Sequence, residues 1–299
     1  MKVLVAGGAG FIGAHLVAAL LGAGDEVVAL DNMHRGMRAK LSGEALLIEG
    51  DIRDRDTVAR VMQGARRVYH LAAQSNVLGA VADTDYSFTS NVVGTYNVLA
   101  AARDAGVERV IFTSSREVYG EVERLPVAED RPMNPKNAYG ASKVAGEVYC
   151  RTFQNTYGLD VSVLRLANVY GPGDRDRVIP IWLDRARRGE DLDLYGGEQV
   201  LDLVRVEQVV EALRRAGDKT LGGQPVNVGS GAGTSLRALA GRVQALPGVE
   251  VALHVLPPRS IEVTRFVADV ALMRVMLGLT PPDDPLDGLA ALWAEMRPG

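Results

Sequence analysis

Tyr139 and Lys143 stand four residues apart, and no other pair in this sequence has types and spacing better suited to proton chemistry. On a helix that spacing puts both side chains on one face, one turn apart. An ammonium beside a phenol favours phenolate and draws its pKa from about 10 toward working pH, which a general base needs. With nine tyrosines among 299 residues and few lysines, about 0.15 such pairs are expected by chance. A second run with chemical potential is Gly7-Gly8-Ala9-Gly10-Phe11-Ile12-Gly13, directly after the apolar stretch Lys2–Ala6. Glycines between a strand and a helix let the backbone approach a pyrophosphate, and the helix N-terminus adds N–H groups and partial positive charge. Asp31 closes the second apolar run, where a carboxylate accepts hydrogen bonds from adenosine ribose hydroxyls. That choice favours NAD, because a 2′-phosphate would meet a like charge, although Arg35 and Arg38 follow closely. Asp51-Ile52 is placed to hold the adenine amino group and face, and an Asx-turn explains Asp51 equally well.

These residues need a scaffold, and the pattern supplies one. Lys2–Ala6, Glu26–Leu30, Ala45–Glu49, Arg67–Leu71, Arg109–Thr113 and Val161–Arg165 read as strands buried on both faces. Between them, amphipathic stretches at 11–23, 54–63, 79–105 and 137–157 read as helices. Alternation of this kind predicts an α/β fold with a Rossmann-type doubly wound parallel sheet. The pattern loosens at Tyr170-Gly171-Pro172-Gly173-Asp174. We therefore expect residues 1–170 to form the dinucleotide-binding lobe, with segments near 200–230 returning to it. Residues 171–199 and 231–299 are expected to form a smaller mixed α/β substrate lobe, with helices near 178–188, 207–215 and 235–246 and strands near 200–206 and 225–228 placed along this part of the chain.

Composition narrows the function classes. Net charge is −4, so there is no global basic field and nucleic acid is not an expected ligand. Cys150 is the only cysteine, and the four histidines form no metal-ligand spacing, which argues against disulfides and a dedicated metal site and fits a reducing cytoplasm. The apolar start is interrupted by glycines, unlike a signal peptide, and no run is long enough to span a membrane.

Taken with His70-Leu71-Ala72-Ala73, Asn91 followed by Gly94-Thr95, Thr113–Gly120, Asn168–Pro172 and Asn227-Val228-Gly229, the chain resembles an extended short-chain dehydrogenase/reductase of the nucleotide-sugar epimerase/dehydratase family. The resemblance covers essentially the whole chain. It implies NAD as cofactor, held by Gly7, Gly10, Phe11, Ile12, Gly13, Asp31, Asn32, Asp51, Ile52, Leu71, Ala72, Ala73, Asn91, Tyr139 and Lys143. It also implies that Ser115 hydrogen-bonds the reacting sugar oxygen, Tyr139 removes its proton, and Lys143 holds the nicotinamide ribose. Asn168 would touch a UDP-sugar substrate, Arg259 would bind its diphosphate, and the protein would be a homodimer through the helices near 79–105 and 137–157. A β-turn for Asn168 and a solvated charge for Arg259 are the plainer readings.

Departures from the family pattern carry the most information. Relatives carry Arg-Asp where this chain has Leu201-Asp202, so one diphosphate contact is lost, and Arg205 on the same strand is the residue placed to compensate. Dehydratases resemble this chain after Ser115 but place an acid where Arg116 stands, and a guanidinium cannot serve as that acid. Glu117 is retained, a feature shared with sugar-acid decarboxylases. A cation near C6 of the sugar suits a carboxylate, and Arg175 resembles an arginine of uronate 4-epimerases. The expectation is therefore a 4-epimerase that prefers UDP-glucuronate and UDP-galacturonate to UDP-glucose and UDP-galactose. The plainer alternative has Arg116 in solvent or paired with Glu117 or Glu121. A decarboxylase or dehydratase, and an NAD-binding regulatory protein without turnover, are the rival readings.

Overall fold

Alternate side chains of the first strand point to opposite faces, and here both faces are buried. In β1 (Lys2–Ala6), Val3 and Val5 pack with Leu16, Val17 and Leu20 of α1 (Phe11–Gly22), whereas Leu4 and Ala6 pack with Val58, Val61 and Met62 of a helix on the other side. The chain then runs through β2 (Glu26–Asp31), β3 (Leu46–Glu49), α2 (Arg55–Met62), β4 (Arg67–His70), α3 (Val77–Ala82), α4 (Thr84–Phe88), α5 (Gly94–Asp104) and β5 (Arg109–Ser115). It continues with α6 (Ala138–Tyr157), β6 (Val161–Leu166), β7 (Asn168–Tyr170), α7 (Val178–Arg187), β8 (Leu192–Tyr195), β9 (Val200–Arg205) and α8 (Val206–Asp218). The last elements are β10 (Val226–Val228), β11 (Gly233–Ser235), α9 (Leu236–Gln244), β12 (Leu253–Leu256) and α10 (Leu289–Met296). This computed structural model describes residues 1–41, 43–258, 261 and 263–296.

Seven strands form one parallel sheet in the order β3-β2-β1-β4-β5-β6-β10. The winding reverses between β1 and β4, and at the carboxyl ends of such strands an open α/β sheet leaves a crevice for ligands. A three-stranded sheet, β11-β9-β7, and a parallel pair, β12-β8, lie beyond it. Around that pair a separate core gathers Trp182 and Leu183 of α7, Leu192 and Leu194 of β8, Leu239 of α9 and Trp293 of α10. This is the smaller mixed lobe that the loosened sequence pattern implied. Among the described residues no helix is long and apolar enough to cross a membrane.

One expected helix is broken. The stretch 79–105 is three helices, because Asn76 caps α3 through the Gly79 amide and Asp83 leaves helical geometry to cap α4 through Tyr86. A π-helical turn, Thr89–Val93, then precedes α5. It turns Asn91 inward, where its side chain accepts from the Gln74 amide and donates to the Gln74 carbonyl and the Ser142 hydroxyl. Strands β7, β8, β11 and β12 were also not expected. Each has three or four residues and exists through pairing with a distant partner rather than through a local pattern.

Candidate active site

The glycine turn is shaped by close approach. Gly7 has φ +84°, and a Cβ there would stand 2.6 Å from the Ala72 amide nitrogen, so only glycine lets β1 and the Leu71-Ala72-Ala73 turn meet. Leu71 donates from its amide to the Ala6 carbonyl at 2.8 Å, which fixes that neighbour. Gly10 caps α1 without a side chain, and no acidic residue stands in the first turn, so Phe11, Ile12 and Gly13 present a positive helix end. Asp31, 8% exposed, accepts from the Ala9 amide at 3.0 Å and the Met33 amide at 2.9 Å. Burial pushes its carboxyl up, against those backbone bonds. Asn32 donates to Asp51, and burial at Asp51 is outweighed by Arg53 and Asn32, which hold that carboxyl at about 2. Asp51 also accepts from the Arg53 amide at 2.8 Å, so the Asx-turn is real and coexists with a charged carboxylate. Ile52 is buried against Gly94. These residues follow the carboxyl ends of β1, β2, β3 and β4, at the switch point, and a glycine cradle with a carboxylate at the end of β2 fits a dinucleotide.

At the carboxyl end of the neighbouring strand, Ser115 closes β5 and its hydroxyl accepts from the Glu117 amide at 3.2 Å. Glu117 accepts from Asn137 at 2.8 Å, and Asn137 caps α6 through the Gly140 amide. A Cβ on Gly140 would lie 2.5 Å from the Glu117 carbonyl oxygen, so glycine allows α6 to start against the Ser115 turn. Tyr139, the residue before Gly140, is thereby held near Ser115, whose hydroxyl favours its phenolate. Asn137, which fastens this junction, was not singled out from the sequence; its signal was the Asn three residues before Gly140 at a helix start.

Lys143 is 3% exposed and donates to the Thr113 carbonyl at 2.9 Å, while its ammonium lies 5.9 Å from the centre of the Tyr139 ring. Burial lowers its pKa to about 8. The expectation that Lys143 pulls Tyr139 toward working pH needs correction for the protein itself. Burial pushes Tyr139 up to about 12, and the cations that oppose the rise are Arg177 and Arg116, whereas Glu117 adds to it. Lys143, one turn along α6 from Tyr139, spends its charge on the Thr113 carbonyl of β5. His70, behind the site, bonds Thr95 and is lowered by burial to about 3, so it is neutral.

The substrate side departs further from expectation. Arg116 pairs with Glu117 at 2.9 Å, the plainer of its readings, and its Nη1 is buried without an acceptor among the described residues. Arg175 is exposed and stands with Arg35 and Lys40. Arg205, the residue expected to compensate for Leu201, pairs with Glu207 at 3.2 Å and Asp287 at 3.4 Å, because the strand ends there and its side chain turns toward α8 and the C-terminal segment. Asp202 beside Leu201 is fully buried and accepts from the amides of Ser230, Gly231 and Ala268, a structural task. Asn168 donates to the Asp202 carbonyl at 3.2 Å and stays half-buried. Arg259 lies outside the described residues. Arg177, not foreseen, lies 5.6 Å from the Phe11 ring.

Comparison with known proteins agrees with this architecture. The model of the "NAD dependent epimerase/dehydratase family" matches residues 3–229. A UDP-glucose 4-epimerase of Mycolicibacterium smegmatis is 38% identical, with 97% of this chain and 96% of that protein covered. The crystal structure of a UDP-glucose 4-epimerase with UDP-glucose from Thermotoga maritima superimposes with a TM-score of 0.94 at 33% identity, covering 98% of each chain. DesIV, a dTDP-glucose 4,6-dehydratase of Streptomyces venezuelae solved with NAD bound, superimposes with a TM-score of 0.92 at 32% identity, covering 98% of this chain and 96% of its own. With that match across residues 3–229, and with the glycine turn, Asp31 and Ser115 all at the carboxyl ends of strands of one parallel sheet, the chain belongs to the NAD-dependent epimerase/dehydratase family.

Proposed function

We propose that this chain is a UDP-sugar 4-epimerase that uses NAD. The observation that carries the reading is that Ser115 at the carboxyl end of β5 and Tyr139 and Lys143 in the first turns of α6 come together, with Arg116 where a dehydratase needs an acid. Bound by the glycine turn and Asp31, NAD would supply a hydride acceptor for C4 and then return the hydride. Ser115 orients the C4 hydroxyl, and Tyr139 takes the hydroxyl proton as the C–H pair leaves, then returns it when the 4-ketone is reduced on its other face. Lys143 is anchored on the Thr113 carbonyl, one turn along α6 from the base. An NAD-binding protein without turnover would have no need of this constellation. The UDP group follows the relatives, and the lobe of residues 171–199 and 231–299 is proposed to cover it. A homodimer in the cytoplasm belongs to the same proposal. It is supported by exposed Val93, Tyr96, Val148 and Tyr149 on the faces near α5 and α6, where the rings of Tyr96 and Tyr149 lie 5.7 Å apart.

At C6 the geometry favours a neutral hexose, glucose or galactose. Glu117 already neutralises Arg116, and a sugar carboxylate would face that same glutamate. The uronates stand second, on the unpaired Nη1 of Arg116. Measuring kcat/KM for UDP-glucose, UDP-galactose, UDP-glucuronate and UDP-galacturonate, with products read by proton NMR, separates the readings. We expect the neutral pair to lead by roughly tenfold, the effect of about 1.4 kcal/mol. A lead for the uronates that Arg116→Ala abolishes would reverse the order, and a pentose with released carbon dioxide would identify a decarboxylase.

A further inference from the structure

Residues 172–177, which follow β7, bridge the two segments that frame the glycine turn. His15 of α1 hydrogen-bonds the Pro172 carbonyl at 2.8 Å, Lys40 donates to the Gly173 carbonyl at 2.7 Å, and Arg35 pairs with Asp176. The loop that carries Arg35 and Lys40 is itself fastened to the turn, through the Met37 amide and the Ala9 carbonyl at 3.0 Å. From this bridge Arg177 reaches the first residue of α1, its guanidinium 5.6 Å from the centre of the Phe11 ring. Asp174, whose side chain is 3% exposed, accepts from Arg177 Nη1 at 2.8 Å and sets the direction of the guanidinium.

A cation is the wrong charge for a helix N-terminus, which attracts anions. The surroundings repeat the imbalance: Arg35, Lys40, Arg175 and Arg177 crowd about two carboxylates, Asp174 and Asp176. Burial and mutual repulsion lower the pKa of both Arg35 and Lys40. A doubly negative group between Arg177 and the α1 amides satisfies both sides, and a planar guanidinium suits phosphate oxygens. We propose that Arg177 clamps the NAD pyrophosphate against the first turn of α1, so that the 172–177 bridge holds the cofactor in place. This rests on NAD dependence alone and is indifferent to the sugar.

The substrate also carries a diphosphate, and the test must separate the two. NAD content and exchange with radiolabelled NAD are measured on the purified holoprotein, UDP binding by calorimetry, and folding by thermal melting. Arg177→Gln is expected to speed NAD exchange roughly ten- to a hundredfold, the scale of a charge-assisted hydrogen bond, and to leave UDP affinity within about twofold. Arg177→Lys should recover part of the loss, and Asp174→Asn, which frees the guanidinium without removing it, should speed exchange by a smaller factor. Salt should accelerate exchange more in the wild type than in Arg177→Gln. Unchanged NAD exchange in folded Arg177→Gln overturns the proposal, as does a fall in UDP affinity alone, which would give the clamp to the substrate. If Arg177→Gln melts early, Arg177→Lys and Asp174→Asn decide: wild-type exchange in both overturns it.

Discussion

Tyr139→Phe will lower turnover by about a hundredfold or more and leave the fold and the NAD content intact, because it removes one oxygen that accepts and returns the substrate proton. The ring stays, so packing against Lys143 and the start of α6 is kept. The pH dependence gives a sharper check. In the protein itself Tyr139 rises to about 12 through burial, with Arg177 and Arg116 pulling it down. Nearby cations favour phenolate, so their removal must raise the pKa further. In the wild type, kcat/KM should climb with pH over the range where the phenol begins to ionise. In Arg116→Ala that rise should move to higher pH, both because a cation is gone and because Glu117 is left without its partner. Near wild-type turnover in Tyr139→Phe, or a rise that moves to lower pH in Arg116→Ala, would assign the proton to another group.

Glu147→Ala will cost about 3–5 kcal/mol of stability, the penalty for leaving a buried charge uncompensated. Glu147 and Arg165 are each about 3% exposed at the side chain, and their ion pair measures 2.7 Å. The carboxylate also accepts from Ser114, the neighbour of Ser115. Arg165 in turn donates to the Tyr119 hydroxyl at 2.8 Å and the Glu129 carbonyl at 2.9 Å, and Tyr119 donates to Asn227 at 2.7 Å. One network therefore joins β5, α6, β6 and β10 behind the catalytic residues. Urea titration and thermal melting should show the loss, with a melting temperature lower by roughly 10 °C. The double variant Glu147→Leu with Arg165→Met should regain most of the stability, since apolar replacement of both partners removes the charge as well as its partner. A loss below about 1 kcal/mol in Glu147→Ala would place the pair in the class of solvent-screened bridges.

How much of this protein was legible before folding divides along a physical line. Side-chain periodicity is local, so the sequence alone determined the two-faced strands, the order of strand and helix in the large lobe, and the common face of Tyr139 and Lys143. Steric demands of the backbone are local as well, which is why the glycines at 7, 10 and 13 and the carboxylate of Asp31 could be read as a dinucleotide turn. Desolvation and choice of partner are not local. Only the tertiary structure decided that Lys143 bonds the carbonyl of Thr113, thirty residues away, and that burial carries Tyr139 upward in pKa. It alone sent Arg205 to Asp287 and Arg116 to Glu117, set Arg175 beside Arg35 and Lys40, and brought Arg177 to Phe11. An arginine in a sequence is a charge on a flexible stem, and several acceptors compete for it. Which one it meets depends on elements that come together only when the sheet, the short strands β7 and β9, and the bridge between the lobes are in place.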